Sequence, residues 1–245
     1  MDFLANYFGS LNPMSFLSAL PGNIAQGIIW GLMGLGVFLT FKLLNFADLS
    51  VDGSFATGGA VTAVMLINGC PVWATIIVAI LAGLAAGLVT GLLHTLLGIP
   101  DILAGILTQI ALYSINLNIM GKSNLPISYR NYTLVVSASN INMAILVGLG
   151  ICAVVIAAMY WYFGTEQGST IRSTGSNPAM SKAQGININF TKVIALALSN
   201  GLVALSGSLF AQYQGFADIN MGRGAIVIGL AAVIIGEVLG EAIFR

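Results

Sequence analysis

Residues 72–97 read VWATIIVAILAGLAAGLVTGLLHTLL, a run without Asp, Glu, Lys or Arg. A helix needs about 20 apolar residues to cross the hydrocarbon core of a bilayer, and this run is long enough. Backbone N–H and C=O groups cannot stay unpaired in lipid, so the run is predicted to cross as a helix. A membrane-spanning β-strand is excluded because it would alternate apolar and polar residues over about ten positions.

The rest of the chain has the same character. Of its 245 residues, 58% are hydrophobic and 7% are charged, with a mean hydropathy of +0.96. A soluble domain carries roughly a quarter charged residues. Other charge-free stretches cover residues 3–41, 53–100, 102–121, 131–165 and 193–217. We therefore predict an all-α, polytopic transmembrane bundle of about seven membrane segments, some of them broken or re-entrant.

Six spans and a shorter last run are predicted from these stretches. The spans are residues 23–41, 48–68, 72–97, 102–120, 141–163 and 193–213, and the last apolar run is 225–236. That run covers only about 18 Å at about 1.5 Å per residue, so it either crosses by including Glu237 or forms a half-helix. Residues 1–22 are predicted to lie on the membrane surface, and residues 23–245 to form the membrane domain.

Orientation is predicted from the basic residues, because cytoplasmic connections collect Lys and Arg. Placing the hydrophilic residues 164–192 inside puts five basic residues in the cytoplasm, namely Lys42, Arg172, Lys182, Lys192 and Arg245. Three then lie outside, namely Lys122, Arg130 and Arg223. We therefore expect a multi-pass protein of a bacterial plasma membrane with its N-terminus outside.

Several functions are excluded by composition. A net charge of zero gives no electrostatic footprint for nucleic acid. Cys70, Cys152 and the single His94 cannot supply a metal site or a disulfide framework, so no cofactor is expected. Residues 116–123, NLNIMGKS, nearly match a phosphate-binding loop but lack its first Gly and follow an apolar span rather than a strand.

Residues 173–186, STGSNPAMSKAQGI, predict one short helix with both ends specified. Asn177 is a good N-cap, Pro178 suits the first helical position, and Gly185 suits the left-handed residue after the end. A helix of about seven residues does not persist alone in water. Either the bundle itself or a docked cytoplasmic partner must hold it.

This stretch resembles the cytoplasmic coupling segment of permeases in the branched-chain amino acid and ribose importer family. Residues 44–55, LNFADLSVDGSF, are similar to the segment between the first two helices of that family. Within them, residues 50–54 are most similar to the tryptophan/tyrosine-type permeases. The resemblance covers residues 24–240. Family members usually continue for several tens of residues, so a C-terminal part is expected to be missing.

The resemblance implies the mechanism of an ATP-binding-cassette importer. Two copies of the permease line a pathway through the bilayer, cytoplasmic ATPase subunits dock on the coupling segments, and an extracytoplasmic binding protein delivers the solute. The solute is expected to be an amino acid, aromatic or branched-chain. The residues implied to contact the ATPase are Gly175, Asn177, Pro178, Ala179, Lys182, Ala183 and Gly185.

Polar residues within or beside the spans are the candidates for the pathway, since charged and amide groups are costly in hydrocarbon. Asp48 and Asp52, four residues apart, are predicted to share one helix face and either to cap a helix or to form a gate. The other candidates are Thr108, Gln109, Tyr113, Ser114, Asn116, Asn118, Ser199, Asn200 and Gln212. Helix-to-helix hydrogen bonding explains them equally well.

Glycines at four-residue spacing predict close helix contacts. Gly83, Gly87 and Gly91 lie on one face of their helix, and Gly27 and Gly31 do so in the first span. Pro100 and Pro126, with the short last run, are predicted to mark broken helices.

Three alternatives to an amino acid importer remain open at this point. One is a permease for a sugar or nucleoside. Another is a secondary transporter, which would need a buried carboxylate pair. The third is a membrane enzyme, which would need clustered reactive side chains at the interface.

Overall fold

The computed structural model of the chain describes residues 13–127 and 134–243. That part of the chain contains nine α-helices, one π-helical segment and one two-stranded sheet. In order they are α1 (Pro13–Val37), the π segment (Phe38–Leu43), α2 (Val51–Ile67), α3 (Val72–Leu96), α4 (Asp101–Met120), β1 (Asn124–Pro126), α5 (Ile141–Phe163), α6 (Glu166–Ser176), α7 (Pro178–Ala183), α8 (Ile188–Gln214), β2 (Phe216–Asp218) and α9 (Ala225–Ile243).

The predicted fold class is confirmed. Among the described helices, six are long and apolar enough to cross a membrane, and α2 is a shorter apolar helix. The bounds of α3, α4 and α5 agree with the predicted spans to within one residue. Each of these three helices coincides with a charge-free run that has turn residues at both ends, so the local sequence is enough to predict its bounds.

Other bounds were predicted wrongly. The first helix begins at Pro13 rather than Asn23 because it continues through Pro21. Membrane helices tolerate proline. Beside Pro21, the Tyr213 hydroxyl donates to the Gly22 carbonyl at 3.0 Å and connects α1 to α8. The surface position predicted for residues 1–22 stays a prediction, and residues 1–12 lie outside the described residues.

The last helix includes Glu237, as the first of its two predicted alternatives required. It runs through Glu237 to Ile243 instead of ending at Gly236. The Glu237 carboxylate pairs with the Lys42 ammonium at 2.5 Å, at the end of the π segment. An ion pair with both side chains partly exposed makes a carboxylate tolerable near the end of a span.

Helix α8 forms the centre of the bundle. Of its membrane-crossing stretch, 72% is buried inside the protein, against 11% for α5 and for α9. It packs against α1, α2 and α3. A Cβ at Gly83 or Gly87 would overlap backbone carbonyls of α8, at Asn200 and Leu196. The predicted glycine packing face of α3 is therefore confirmed.

The glycine face predicted for α1 is wrong. A Cβ on Gly27 or Gly31 would meet no atom of the described residues within 4 Å. Helix α1 approaches α8 at Gly36 instead, where a Cβ would lie 2.9 Å from the Ser199 carbonyl oxygen. Four-residue spacing identifies a helix face, but it does not say whether that face meets protein or lipid.

The connections gather at two opposite ends of the bundle. At one end, β1 and β2 pair antiparallel, with Asn124 opposite Asp218. At the other, α6 contacts the π segment, and Lys192 bonds His94 at 2.9 Å. The basic residues separate accordingly into Lys42, Arg172, Lys182 and Lys192 at the second end, and Lys122 and Arg223 towards the first. Arg130 and Arg245 are outside the described residues, and which end faces the cytoplasm stays a prediction.

Helices α2 and α9 begin inside the bundle. Ser54, in the first turn of α2, donates to the Asn200 side chain near the middle of α8 at 2.5 Å. The Asp52 carboxylate in turn contacts the start of α9. The non-helical residues 44–50 and 215–224 therefore enter the bundle, where protein must cover them or a cavity must lie beside them.

Pro100 and Pro126 were predicted to mark broken helices, and this prediction is wrong. Pro100 directly precedes α4, and Pro126 belongs to β1. Neither interrupts a span, since each stands at the boundary of an element, where a missing N–H is tolerated.

Candidate functional site

A closed cluster of four polar side chains lies at the centre of the bundle: Asp48, Ser50, Ser54 and Asn200. Each is at most 2% exposed. Asp48 Oδ1 accepts the Ser50 N–H at 2.9 Å and its hydroxyl at 2.5 Å, and Asp48 Oδ2 accepts the Asn200 amide at 2.7 Å. Asn200 Oδ1 accepts the Ser54 hydroxyl, and its amide also donates to the Leu196 carbonyl. Every polar atom of the Asp48 and Asn200 side chains has a partner, so the cluster holds α2 against α8.

Asp52 holds a different helix. Its Oδ2 accepts the Gly224 N–H at 3.0 Å, and its Oδ1 accepts the Ile226 N–H at 2.9 Å. These amides stand at the start of α9, where free N–H groups need acceptors and the helix dipole favours a negative charge. Asp52 therefore caps α9 from α2, across 172 positions of sequence.

The prediction that Asp48 and Asp52 share a helix face is wrong. Helix α2 begins at Val51, so Asp48 precedes it. Its carboxylate bonds the Ser50 N–H just ahead of α2, whereas Ser50 makes no side-chain cap on that helix. Of the two predicted roles, hydrogen bonding at a helix start describes both carboxylates, but at two separate places.

An open cleft of about 320 Å³ lies beside Asp52, between α2, α4 and the segment before α9. Four predicted pathway residues meet on its wall: Asp52, Gln109, Tyr113 and Asn116. The last three recur at spacings of four and three along α4, which places them on one face of that helix. The remaining wall is formed by Gly53, Ala56, Ile110, Ile219 and Arg223.

Several polar side chains of this cleft lack partners among the described residues, in contrast to those of the closed cluster. Asn116 is 0% exposed, yet neither its amide nitrogen nor its carbonyl oxygen is hydrogen-bonded to any described residue. The side chains of Gln109 and Arg223 likewise have no hydrogen bond or ion pair within residues 13–127 and 134–243. A buried polar group without a partner costs about 1–3 kcal/mol, so Asn116 needs an explanation.

Sequence reasoning missed Arg223 as a pathway candidate. It was counted only as an external loop charge, because it lies outside every apolar stretch. Its sequence Gly222-Arg223-Gly224 directly before a short apolar run was an available signal, since a charge at the edge of a broken span indicates a cavity. Gly222 packs on the Asp52 carbonyl, and this contact brings Arg223 to the cleft.

The remaining pathway candidates lie away from the cleft. Thr108 bonds Thr90 between α4 and α3 at 2.9 Å, and the Ser199 hydroxyl donates to the Gly36 carbonyl. Gln212 accepts the Val135 N–H at 3.1 Å, but its amide nitrogen has no partner in the described part of the chain. Ser114 and Asn118 are on the exposed side of α4. A pathway role for any of them stays a prediction.

The segment predicted to couple to an ATPase lies at the opposite end from the sheet. The Asn177 side chain accepts the Met180 N–H at 3.0 Å, Pro178 opens α7, and Gly185 has a left-handed φ of 82°. The predicted start and end signals of this short helix are therefore confirmed. Residues 116–123 instead form the end of α4 and the bend after it, not the strand, loop and helix start that a phosphate loop requires.

The bundle holds this short helix at its edges and leaves most of it exposed. A Cβ at Gly175 would overlap the Leu43 carbonyl, so α6 sits directly on the π segment. Ser181 is 1% exposed and anchors α7. The exposed residues are Asn177, Pro178, Ala179, Met180, Lys182, Ala183 and Gly185, whereas Gly175 is half-buried. A surface of apolar and basic residues is thus presented on a rigid support.

The geometry offers no metal centre in the described part, where no group of three or more His, Cys, Asp or Glu side chains is placed to hold an ion. Comparison with known families matches residues 22–243 to one described as branched-chain amino acid transport system / permease component. The chain belongs to this permease family. It is a transport subunit and a multi-pass membrane protein, and membership implies in general an ATPase partner and a substrate-binding protein.

Curated relatives of the permease include transporters of several solutes. A tyrosine transport system permease protein of Clostridioides difficile (strain R20291) is 45% identical over 224 residues, which cover 91% of this chain and 74% of that protein. A D-allose transport system permease protein of Escherichia coli (strain K12) is 28% identical, covering 94% and 71%. An autoinducer 2 import system permease protein of Enterobacter sp. (strain 638) is also 28% identical, covering 94% and 66%. No solved structure matches the chain.

Proposed function

We propose that this permease carries an amino acid, with an aromatic one favoured, into the cell as the membrane subunit of an ATP-driven importer. The family match supports the class of transporter. The 45% identical tyrosine permease supports the solute class, because the sugar and autoinducer permeases are more distant. The observation that carries the ATP-driven part of the proposal is the exposed helix α7, which is capped at its start and held at the edge of the bundle.

A separate ATPase subunit would dock on residues 164–192. Helix α7 is too short to persist by itself, so its two end signals, the buried Ser181 and its contacts with α6 and α8 make it a rigid lever. ATP-driven closure of two ATPase subunits would push this lever and tilt the helices behind it, in a rigid-body form of alternating access. ATP is hydrolysed on the partner in this scheme.

The end that carries α7 would face the cytoplasm, and the N-terminus would lie outside. Four described basic residues at that end, against two towards the other, favour this orientation. A binding protein would then deliver the solute at the end that carries β1 and β2. A second copy of the permease would complete the pathway, with the surrounding bilayer covering the apolar faces of α5 and α9.

The test is retention of the ATPase by variants of α7. Lys182→Glu reverses an exposed charge on α7, and Lys122→Glu makes the same change at the opposite end. We expect the first to lose the ATPase on co-purification and the second to keep it, with both folding normally. Equal retention by the two variants would contradict docking on α7, and absence of ATP-driven tyrosine uptake by the reconstituted wild-type importer would contradict the solute class.

A further inference from the structure

We propose that the cleft beside Asp52 is a binding site in the permease itself for the zwitterionic head group and the phenol of a free amino acid. The inference rests on the proposed amino acid importer, and it assigns the residues that would recognise the solute inside the membrane domain. Three observations carry it: two opposite charges on one wall that form no ion pair with a described residue, an amide without a partner in the described chain, and a volume that suits one amino acid.

Opposite charges face the same cleft without pairing. Asp52 and Arg223 both line it, yet the ion pair found in the described residues joins Lys42 to Glu237 instead. Asp52 uses one acceptor site on each oxygen for the start of α9, and a carboxylate has about four such sites. A carboxylate with spare acceptors and a free guanidinium are the two groups that an α-ammonium and an α-carboxylate require.

The unpaired amide indicates a ligand with a hydroxyl group. Asn116 offers a donor and an acceptor, both buried and both without a partner in the described chain. A phenolic hydroxyl can donate to the amide oxygen and accept from the amide nitrogen at once. The Tyr113 ring, one turn away on the same wall, supplies an aromatic surface for the side chain of the ligand.

The size of the cleft and its charges favour an amino acid over a neutral sugar. Small-molecule sites span roughly 300–1,000 Å³, and this one, at about 320 Å³, is at the lower end. A sugar would provide hydroxyl partners for Asn116 and Gln109. It would leave the Arg223 and Asp52 side chains without the two counter-charges that the ammonium and carboxylate of an amino acid supply.

The experiment uses the full chain in lipid nanodiscs, so that it does not depend on the ATPase. Cys70 and Cys152 are replaced by serine, and Ala56→Cys places a reporter thiol on the cleft wall. The rate of alkylation by a water-soluble maleimide is measured against the concentration of L-tyrosine, of tyramine, which lacks the carboxylate, and of 3-(4-hydroxyphenyl)propionate, which lacks the ammonium. A reporter at Ala138, exposed in the turn before α5, is the control.

L-tyrosine is expected to slow labelling at position 56 and not at position 138. Each analogue should need about tenfold or more higher concentration, because one charge-assisted contact is lost. Arg223→Gln should weaken L-tyrosine by the same factor and leave tyramine unchanged, while Lys122→Gln should change neither. Protection by L-tyrosine that survives Arg223→Gln, or equal protection by all three compounds, overturns the assignment.

A second measurement covers the case in which the reporter variant does not fold. Ligand-dependent thermal stabilisation of the chain with its native cysteines should follow the same order, with L-tyrosine above both analogues. No stabilisation at millimolar L-tyrosine overturns the site. If the importer still transports tyrosine in that case, the proposed function stands and only the site is contradicted. If tyrosine binds in the cleft but ATP-driven uptake is absent, only the proposed function is contradicted.

Discussion

Two aspartates four residues apart belong to two polar regions that differ in how completely they are satisfied. Around Asp48, every carboxylate and amide atom has a partner, and the residues are at most 2% exposed. Around Asp52, the carboxylate is bonded, but the Asn116 and Arg223 side chains on the same cleft wall have no hydrogen bond to any described residue. Polar residues in a membrane bundle are therefore not one class, since some connect helices and others remain available to a solute.

The largest difference between the two regions is expected in stability. Asn200→Leu removes the amide donor of the Asp48 carboxylate and the acceptor of the Ser54 hydroxyl, leaving buried polar groups unpaired. We expect a loss of about 3 kcal/mol in the free energy of unfolding, since one oxygen of the buried Asp48 carboxylate loses its donor and the buried Ser54 hydroxyl loses its acceptor. Unfolding of the purified permease in mixed micelles measures it.

Gln109→Leu is the matched control, because it removes an amide of the cleft that has no partner in the described chain. It should change the free energy of unfolding by less than about 0.5 kcal/mol. Replacing Asp48 by leucine as well as Asn200 should recover part of the loss, because the carboxylate oxygen that lost its donor is then gone. Equal losses for Asn200→Leu and Gln109→Leu would show that the regions do not differ.

A smaller, local effect is expected where the two regions adjoin. Asp52→Ala removes the acceptor of two N–H groups at the start of α9, and loss of such a cap costs about 0.5–2 kcal/mol. Hydrogen exchange at Gly224 and Ile226 should therefore quicken by about tenfold. The same amides should be unaffected in Asp101→Ala, which removes a carboxylate from the first turn of α4. A uniform rise in exchange over the whole bundle would contradict a capping role.

The amino-acid sequence predicts the helices of the bundle more completely than it predicts the residues of the cleft. Long runs without charge define α3, α4 and α5, and Asn177, Pro178 and Gly185 define α7, because these signals are local. The contact of Asp52 with Gly224 and Ile226 is not local, and neither motif nor periodicity connects those positions. Gln109, Tyr113 and Asn116 were found because all three are polar residues inside one apolar span. Arg223 was not, since it comes to the cleft only through the folding of residues 215–224.

The smallest expected effect has the opposite sign. Asn116→Leu replaces an amide that has no partner in the described chain by an apolar side chain of similar size, and it removes a desolvation cost without breaking a bond. We expect the permease, without added amino acid, to gain about 1 kcal/mol in the free energy of unfolding. Gln212→Leu is the control, because that buried amide accepts the Val135 N–H and its removal should not stabilise. If Asn116→Leu lowered the free energy of unfolding as much as Asn200→Leu, Asn116 would stabilise the fold. The polar side chains of the cleft would then be structural, like those of the cluster around Asp48.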